Sequence, residues 1–473
     1  QPRSIRLRRA GAVAPTIPDL EEAALAADLP DPVAAPTAQN ATAVKVELNR
    51  SAVAPPRIEV VTPRIMGGPS RRNQRISTGQ NSDVRRELPP TFGPIVSQLE
   101  RRHAKATQVV YAADSVGLQE MFTLRQADIR RQHIKLFGGT DESEVAVNQG
   151  LAWLAAHQNK DGSWSLNTFH TNCQGKHPNC GGAGKVRSNT AATGLALLPF
   201  LAAGNTHQAG EYQQNIARAI GWLQKQQKPN GDLLSAGDAS HIYSHSIASI
   251  AVCETFGMTQ DPALKPLAEK SLQFLIKAQH GPTGGWRYTP NQAGDTSVVG
   301  WAMMALKSGE MAGLAVPQAT LDLVAKWLSS VEGNKPNGGH FGYQNGSATP
   351  AMTAEGLLCL QFMGVARNQL RMQSGADYLL LNLPDTDQRR TSYYWYYGTQ
   401  VMYHMQGRYW EAWNSRLRDH LTKTQISEGP LSGTWNPRDN WEASGGRIYA
   451  TAIKLLMLEV YYRHLPLYEQ LDE

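Results

Sequence analysis

The segment Gln158-Asn-Lys-Asp-Gly162-Ser-Trp164 is the most informative stretch for the fold, because looser copies of it recur along the residues that follow. In such a turn, glutamine at a helix C-terminus can hydrogen-bond exposed carbonyls, glycine permits the turn, and the aromatic ring packs against the neighbouring unit. Several copies in register indicate an architecture built from repeats. The copies are Gln227-Lys-Pro-Asn-Gly231, Gln279 with Gly284-Gly285-Trp286, Gly338-Gly339-His-Phe341, and Gln425 with Gly433-Thr-Trp435.

Each copy lies between two helical patterns of different composition. The first helix of a pair carries an apolar stripe, and the second is almost wholly apolar and rich in Ala, Leu, Met and Gly. Half-polar helices face solvent, whereas apolar helices line an interior. The first helices are predicted near 145–158, 213–227, 262–279, 317–331, 367–381 and 406–425. The second helices are predicted near 189–203, 242–257, 295–313, 352–364, 391–406 and 446–463.

Six pairs close a ring, so the pattern predicts an all-α (α/α)6 toroid of six inner and six outer helices over residues 141–473. The region before the toroid divides in two. Residues 1–95 hold 13 of the 27 prolines and none of the 11 tryptophans, and they are predicted to be a disordered Pro/Ala/Arg-rich tail. Residues 96–140 carry apolar residues at helical spacing, which predicts one or two amphipathic lead-in helices.

The net charge of +6 comes from the N-terminal region, where residues 1–140 hold 20 Lys/Arg and 13 Asp/Glu. The sequence shows no basic stripe interleaved with aromatics, so we expect no nucleic-acid partner, although the basic tail could contact an anionic surface. No window reaches the ~18 consecutive apolar residues of a membrane span. Because the chain begins with Gln1, we expect an exported protein, periplasmic or in the cell envelope, whose signal has been removed.

The turn at 158–164 resembles the Q-x-x-x-G-x-W motif, called the QW motif, of squalene and oxidosqualene cyclases. The stretches DTSVVGWAMMALKSGEM (295–311) and GGRIYATAIKLLMLEVYYRHLPLY (445–468) look closest to exported planctomycete-type proteins with prenyltransferase/squalene-oxidase repeats. This resemblance covers residues 141–473 and implies the toroid of the terpenoid cyclase/prenyltransferase superfamily. It implies no settled biochemical role.

In such a ring the inner helices point their N-termini toward one mouth of a central cavity, where unpaired N–H groups favour anionic or electron-rich groups. An aromatic-lined cavity would suit a polyprenyl or triterpenoid chain, because ring faces stabilise a cation. The predicted pocket residues are Tyr243, His245, Trp286, Thr296, Trp301, Glu355, Tyr393, Tyr394, Tyr397, Arg447 and Tyr449.

One residue is a candidate catalytic acid. Class II terpene cyclases, which the resemblance brings into consideration, carry a D-x-D-D acid whose central carboxyl stays protonated so that it can protonate an alkene. The matching stretch here reads Asn291-Gln-Ala-Gly-Asp295-Thr296, in which only the final Asp-Thr matches. Asp295 is therefore the candidate acid, and the competing interpretation is a helix N-cap, a position that favours Asp.

A cluster of histidines and cysteines occupies the loop between the first outer and inner helices. Its spacing, H-x2-C-x3-H-x2-C, is tight enough for a zinc site formed by His170, Cys173, His177 and Cys180. In an exported protein, a disulfide between Cys173 and Cys180 is the preferred interpretation, and free thiols are a third. We expect no other cofactor.

Three functions remain open, and with them whether the protein is an enzyme. The first is a ring that binds a polyprenyl, triterpenoid or peptide ligand in or at its central cavity without classical cyclase activity. The second is a divergent class II terpenoid cyclase-like enzyme that uses Asp295 as its acid. The third is a toroidal polysaccharide lyase-like enzyme, suggested by Tyr243 and His245 with Arg447 and Tyr449 across the cavity.

Overall fold

The computed structural model describes residues 120–173, 180–384, 391–464 and 467, and this part of the chain is all-helical. The predicted tail and residues 96–119 lie outside the described residues. The outer helices are α2 (Asp141–Ala156), α4 (Gln213–Gln226), α6 (Lys265–Lys277), α8 (Gln318–Val331), α10 (Leu370–Leu380) and α12 (Gly407–Thr424). The inner helices are α3 (Asn189–Ala202), α5 (His241–Thr259), α7 (Thr296–Met311), α9 (Pro350–Phe362), α11 (Ser392–Met405) and α13 (Asn440–Leu458).

The inner helices form a closed ring. Each contacts the next along the chain, and α13 returns to contact α3, while the outer helix α12 contacts α2. The two layers differ in burial as their composition predicts: α9 buries every residue from Ala351 to Phe362, whereas α4 buries only one face, including Trp222 and Leu223. The predicted (α/α)6 toroid is therefore confirmed.

The turns that contain a repeated glutamine join neighbouring units. Gln158 donates from Nε2 to the carbonyl of Gly162 in its own turn (2.8 Å) and to that of Asn215 in α4 (2.9 Å). The last turn does the same across the seam of the ring, where Gln425 donates to Gly433 (3.0 Å) and to Ala146 in α2 (2.8 Å). The repeated glutamine side chain therefore links one unit to the next by hydrogen bonds. The last glutamine, Gln425, links the sixth unit to the first.

The close contact between each turn and the next outer helix also requires glycine in the turn. Gly162 has φ +99°, and a Cβ there would lie 2.4 Å from the carbonyl oxygen of Arg218 in α4. Gly433 has φ +86°, and its Cβ would lie 2.3 Å from the carbonyl oxygen of Gln149 in α2. Only glycine combines the left-handed backbone with so close an approach of the next outer helix.

The described part of the lead-in region closes one end of the ring. A 3-10 helix (Glu120–Arg125) and α1 (Ala127–Leu136) contact α14 (Val460–Arg463), a short helix that follows α13. Arg125 reaches Glu254 in the last turns of α5, with 2.8 Å between Nη1 and Oε2. The C-terminal end of the inner helices is thus covered by chain from both ends of the described region. Among the described residues, no helix has the length and apolar content that a membrane span requires.

Candidate functional site at the N-terminal end of the inner helices

Side chains from across the ring meet in its middle. The helices α7 and α11 are separated on the ring by α9, yet the rings of Trp301 and Tyr396 stack with centroids 5.6 Å apart. Ser297 and Tyr393 hydrogen-bond between the same two helices. Glu355 of α9 is fully buried, and its Oε2 lies so near Gly300 that a Cβ there would approach it to 2.5 Å. The centre is therefore filled by aromatic and polar side chains.

Aspartates already occupy the positive ends of the inner helices. Asp238 accepts hydrogen bonds from the backbone N–H groups of Asn189 and Thr190 at the start of α3 (3.0 and 2.8 Å). Asp439 accepts from Glu442 in α13 and from Ser392 in α11 (2.8 and 2.9 Å). Because these carboxylates satisfy the exposed N–H groups and oppose the helix dipoles, they reduce the expected preference for anions.

Five aromatic side chains and one arginine surround the start of α7, and all of them except Tyr393 are half-buried. We call this group the mouth cluster: Tyr243, Arg287, Tyr288, Tyr343, Tyr393 and Trp441. The rings of Tyr243 and Tyr288 stack at 6.0 Å, and the hydroxyls of Tyr288 and Tyr343 are 2.7 Å apart. Tyr393 is buried beneath and stacks on Trp441 at 4.8 Å. The rings are held by one another and by hydroxyl hydrogen bonds, so the surface they form is pre-organised.

Asp295 lies under this cluster. Its Oδ1 accepts the N–H of Val298 (2.8 Å), which makes it the N-cap of α7, and its Oδ2 lies 3.7 Å from Nε of Arg287. The side chain is fully buried. Burial raises the pKa of Asp295 to about 7, against smaller lowering effects from Val298 N–H, the Tyr343 hydroxyl and Arg287. Asp295 is therefore the N-cap of α7, as the competing interpretation expected, and its role as a catalytic acid stays a prediction.

The other predicted pocket residues fall into two groups. Tyr243, Trp301, Glu355, Tyr393 and Tyr397 lie in the centre or at the mouth, and Tyr449 lies near the start of α13. The remaining five bind other parts of the fold through hydrogen bonds: Trp286 to Leu275 O, Thr296 to Gly342 O, Tyr394 to Asn382 O, His245 to Leu233 N–H and Ser271 O, and Arg447 to Thr434, Trp435 and Asn436.

His245 illustrates the second group. It is fully buried against the outer helix α6, with its Nδ1 accepting the Leu233 N–H (3.2 Å) and its Nε2 facing the Ser271 carbonyl (3.0 Å). Burial lowers the pKa of His245 to about 4. Both nitrogens are used by the backbone of α6 and its neighbouring turn, so the ring has the environment of a structural histidine.

The histidine and cysteine loop is only partly described. The sulfur atoms of Cys173 and Cys180 are in contact, with 6.7 Å between the Cα atoms, and Nε2 of His157 lies 3.2 Å from the Cys180 sulfur. The preferred disulfide between these cysteines stays a prediction, as does a metal site. His177 lies outside the described residues, and His170 is half-buried at the end of a short 3-10 helix (Phe169–Asn172). The predicted set of metal ligands did not include His157, and the sequence did not predict that this histidine lies beside the two sulfurs.

Two cavities stand out in the described structure. One, of ≈ 10 Å³, is enclosed at the C-terminal end of the inner helices beside Glu254, Lys307 and Arg463, and has room for about one water molecule. The other, of ≈ 340 Å³, is an open groove on the outer rim beside Tyr378 and Leu381. The residues that line these two cavities do not include any of the mouth cluster.

Four residues of the mouth cluster were missed by sequence reasoning, namely Arg287, Tyr288, Tyr343 and Trp441. A signal for the two tyrosines is present in the repeat. Tyr288 follows the turn aromatic Trp286 by two residues, and Tyr343 follows Phe341 by the same two residues. Because the turns are equivalent, equal offsets place both hydroxyls at the same level of the ring, where they meet.

Comparisons with known proteins agree with this architecture. Residues 132–237, which span α2 to α4, match the squalene-hopene cyclase C-terminal domain family. The closed helix ring and this match support the squalene-cyclase-like toroid superfamily. The match covers less than a quarter of the chain, and no curated protein matches it.

Solved structures with a similar arrangement of helices come from proteins of different activities. An inactive variant of an α-1,6-mannanase of Salegentibacter sp. with α-1,6-mannotriose is 11% identical with a TM-score of 0.47, over 68% of this chain and 99% of that one. The type II terpene cyclase MstE from Scytonema is 12% identical with a TM-score of 0.46, over 70% and 100%. At these identities and TM-scores the likenesses give no information about ligand or reaction.

Proposed function

We propose that this toroid is a non-catalytic binding protein that holds a partner polypeptide on the mouth cluster. The observation that carries the proposal is the filled centre, where Trp301 stacks on Tyr396 and Ser297 bonds to Tyr393 across the ring. A polyprenyl chain undergoing cyclisation needs an enclosed apolar cavity around it. Contacts between the side chains of α7 and α11 take up part of that space.

The composition of the mouth cluster favours a polypeptide over a lipid chain. Tyrosine and tryptophan supply large rigid contact areas with a polar edge, and they dominate the binding energy of protein interfaces. Here Tyr288, Tyr343 and Trp441 are each half-buried, so part of each ring remains at the surface. The capping aspartates around them make an uncharged or basic segment more suitable than an acidic one.

The test uses the full chain against a phage-displayed library of random peptides and, separately, geranylgeraniol in detergent micelles. A mouth variant carries Tyr288→Ala and Trp441→Ala, and a matched control carries Leu370→Ala and Leu381→Ala on the outer rim, where both leucines are exposed. We expect peptides selected by the wild type to bind the mouth variant roughly tenfold or more weakly, as for loss of aromatic hot spots. Equal binding by wild type and mouth variant would contradict the proposal.

The second candidate is a cyclase-like enzyme, and one observation favours it. Asp295 is a buried acid at the start of an inner helix whose pKa is raised to about 7, so a protonated fraction exists at neutral pH. Turnover of squalene or geranylgeranyl substrates by the wild type, lost in Asp295→Asn with folding unchanged, would establish it in place of the binding proposal. The lyase alternative has no comparable support, because both nitrogens of His245 face backbone groups.

A further inference from the structure

Three potential metal ligands meet beside the seam of the ring. His157 caps the C-terminus of α2, Cys173 follows the 3-10 helix at Phe169–Asn172, and Cys180 begins the next described segment. Nε2 of His157 lies 3.2 Å from Sγ of Cys180 and 3.4 Å from Sγ of Cys173. His157 and Cys180 are buried, and the three ligand atoms lie within 4.8 Å of one another.

The orientation of the histidine ring is fixed by its other nitrogen. Nδ1 of His157 lies 2.7 Å from the carbonyl oxygen of Trp153, and a carbonyl can only accept, so Nδ1 carries the proton. The indole of Trp153 stacks on the imidazole at 3.9 Å and holds its plane. Nε2 therefore directs a lone pair at both sulfurs. A histidine oriented by a backbone carbonyl in this way is typical of metal ligands.

The lone pair distinguishes the two possible states of the cysteines. In a disulfide neither sulfur carries a proton, so buried Nε2 of His157 would face two sulfur lone pairs and have no donor. With a metal cation between the three atoms, the lone pair of Nε2 and both thiolates would each coordinate the cation. The 6.7 Å between the Cα atoms of Cys173 and Cys180 also suits two ligands of one metal, being near the upper limit of about 6.8 Å usual for disulfides.

We propose that His157, Cys173 and Cys180 bind Zn²⁺, with both cysteines as thiolates. Two thiolates and one imidazole are ligands that zinc prefers, and a fourth position is left for water or another side chain. Binding releases the two thiol protons to solvent, with no change in oxidation state. The guanidinium of Arg447, whose Nε donates to the carbonyl of Gly181 next to Cys180 (3.2 Å), favours the thiolate form.

The site fixes the seam between the first and last units. Immediately after Cys180 the backbone pairs with α13: Arg447 N–H donates to Gly182 O (2.7 Å), and Val186 N–H donates to Ser444 O (2.9 Å). His157, in contrast, belongs to the first outer helix. A metal shared by His157 and Cys180 therefore ties α2 to the loop that contacts α13, and zinc is expected to stabilise ring closure.

The test is metal analysis combined with thiol counting on the full chain, purified without chelator and with any affinity tag removed. The sequence has four cysteines, of which Cys253 and Cys359 are free and buried. We expect one Zn²⁺ per chain and four reactive thiols after denaturation in chelator without reductant. Two reactive thiols and no zinc would show the disulfide and overturn the proposal.

Variants locate the metal. His157→Ala and Cys180→Ser are each expected to lower zinc affinity tenfold or more, measured by competition with a chromophoric chelator, whereas Cys253→Ala keeps wild-type affinity. Zinc retained by both site variants would be adventitious and would overturn the proposal, as would four thiols that take up no metal from equimolar Zn²⁺. If a variant fails to fold, the wild-type thiol count and metal content still decide.

Discussion

The two ends of the inner helices are built differently. At the C-terminal end, Glu254 accepts from Arg125 (2.8 Å) and from Arg463 (3.0 Å), and all three side chains are almost completely buried. At the N-terminal end, Asp295 is also buried, its Oδ2 lies 3.7 Å from Nε of Arg287, and the tyrosine rings above it are half-buried. One end is therefore closed by a buried carboxylate that two arginines contact, whereas the other presents aromatic rings over a buried acid with a more distant arginine.

The difference indicates which end is available for binding. Burying a charge is costly unless it is paired, and Arg125 supplies that pairing from the lead-in segment. Burial raises the pKa of Glu254, but Arg125 and Arg463 outweigh burial and lower its pKa overall. At Asp295 burial prevails and the pKa rises. Two buried acidic side chains of the same ring, Glu254 and Asp295, thus have pKa values shifted in opposite directions.

The largest expected effect comes from breaking the sealed end. Glu254→Gln leaves Arg125 and Arg463 buried without a counter-charge, so the free energy of unfolding should fall by about 3–5 kcal/mol. Urea denaturation of the full chain measures it. The matched control is Asp128→Asn, which removes the exposed partner of Arg131 and should cost about 0–1 kcal/mol. Equal losses in the two variants would show that the C-terminal end is not closed by charge.

The next largest effect is the pH dependence of stability that the raised pKa of Asp295 produces, in contrast to Glu254. The folded-state pKa of Asp295, about 7, lies above the ordinary aspartate value of 3.8. The folded protein therefore binds more protons between these values and loses stability as pH rises through that window. Asp295→Asn keeps a capping side chain and removes the cost, roughly 2–4 kcal/mol at pH 8 at about 1.4 kcal/mol per pKa unit.

Denaturation of wild type and Asp295→Asn from pH 4 to 8 tests this expectation. The exposed-carboxylate variant Asp322→Asn serves as control and should follow the wild type. If Asp295→Asn were no more stable than wild type at pH 8, Asp295 would be an ordinary ionised cap, and the contrast with Glu254 would disappear.

A smaller effect comes from the bond across the centre. Ser297 accepts from the Tyr243 hydroxyl and shares a hydrogen bond with Tyr393, so Ser297→Ala leaves two tyrosine hydroxyls without their common partner. We expect a loss of about 1–2 kcal/mol in the free energy of unfolding. Ser329→Ala on the exposed face of α8 is the control. No difference between these variants would argue against a packed centre.

The smallest effect lies at the mouth. Tyr288→Phe and Tyr343→Phe each remove one hydroxyl of a 2.7 Å pair that is half-exposed, so a double-mutant cycle should give a coupling of about 0.5–1 kcal/mol. Thermal unfolding of the two single variants and the double variant measures it. Strict additivity would mean that the two rings are not held together in solution.

Much of the fold was predictable because it depends on local and periodic features. The twelve helices follow from apolar spacing, and their predicted ends lie within a few residues of the observed ones, as for α4, predicted at 213–227 and found at Gln213–Gln226. The site was less predictable. Sequence places Trp301 and Tyr394 on inner helices, but which face of a wholly buried helix points inward is set by packing on both sides.

The repeat could be read from the sequence, because Gln158 and Gly162 and their copies specify a hydrogen bond and a close approach that recur in several of the units. The contacts inside and around the ring, in contrast, follow from how its units pack against one another. The contact of His157 with Cys180, the meeting of Tyr288 with Tyr343, and the pairing of Arg125 with Glu254 join residues from different units or loops. Their distances depend on how the ring closes. Of the three contacts, that between Tyr288 and Tyr343 has a sequence signal, the shared offset from the turn aromatic.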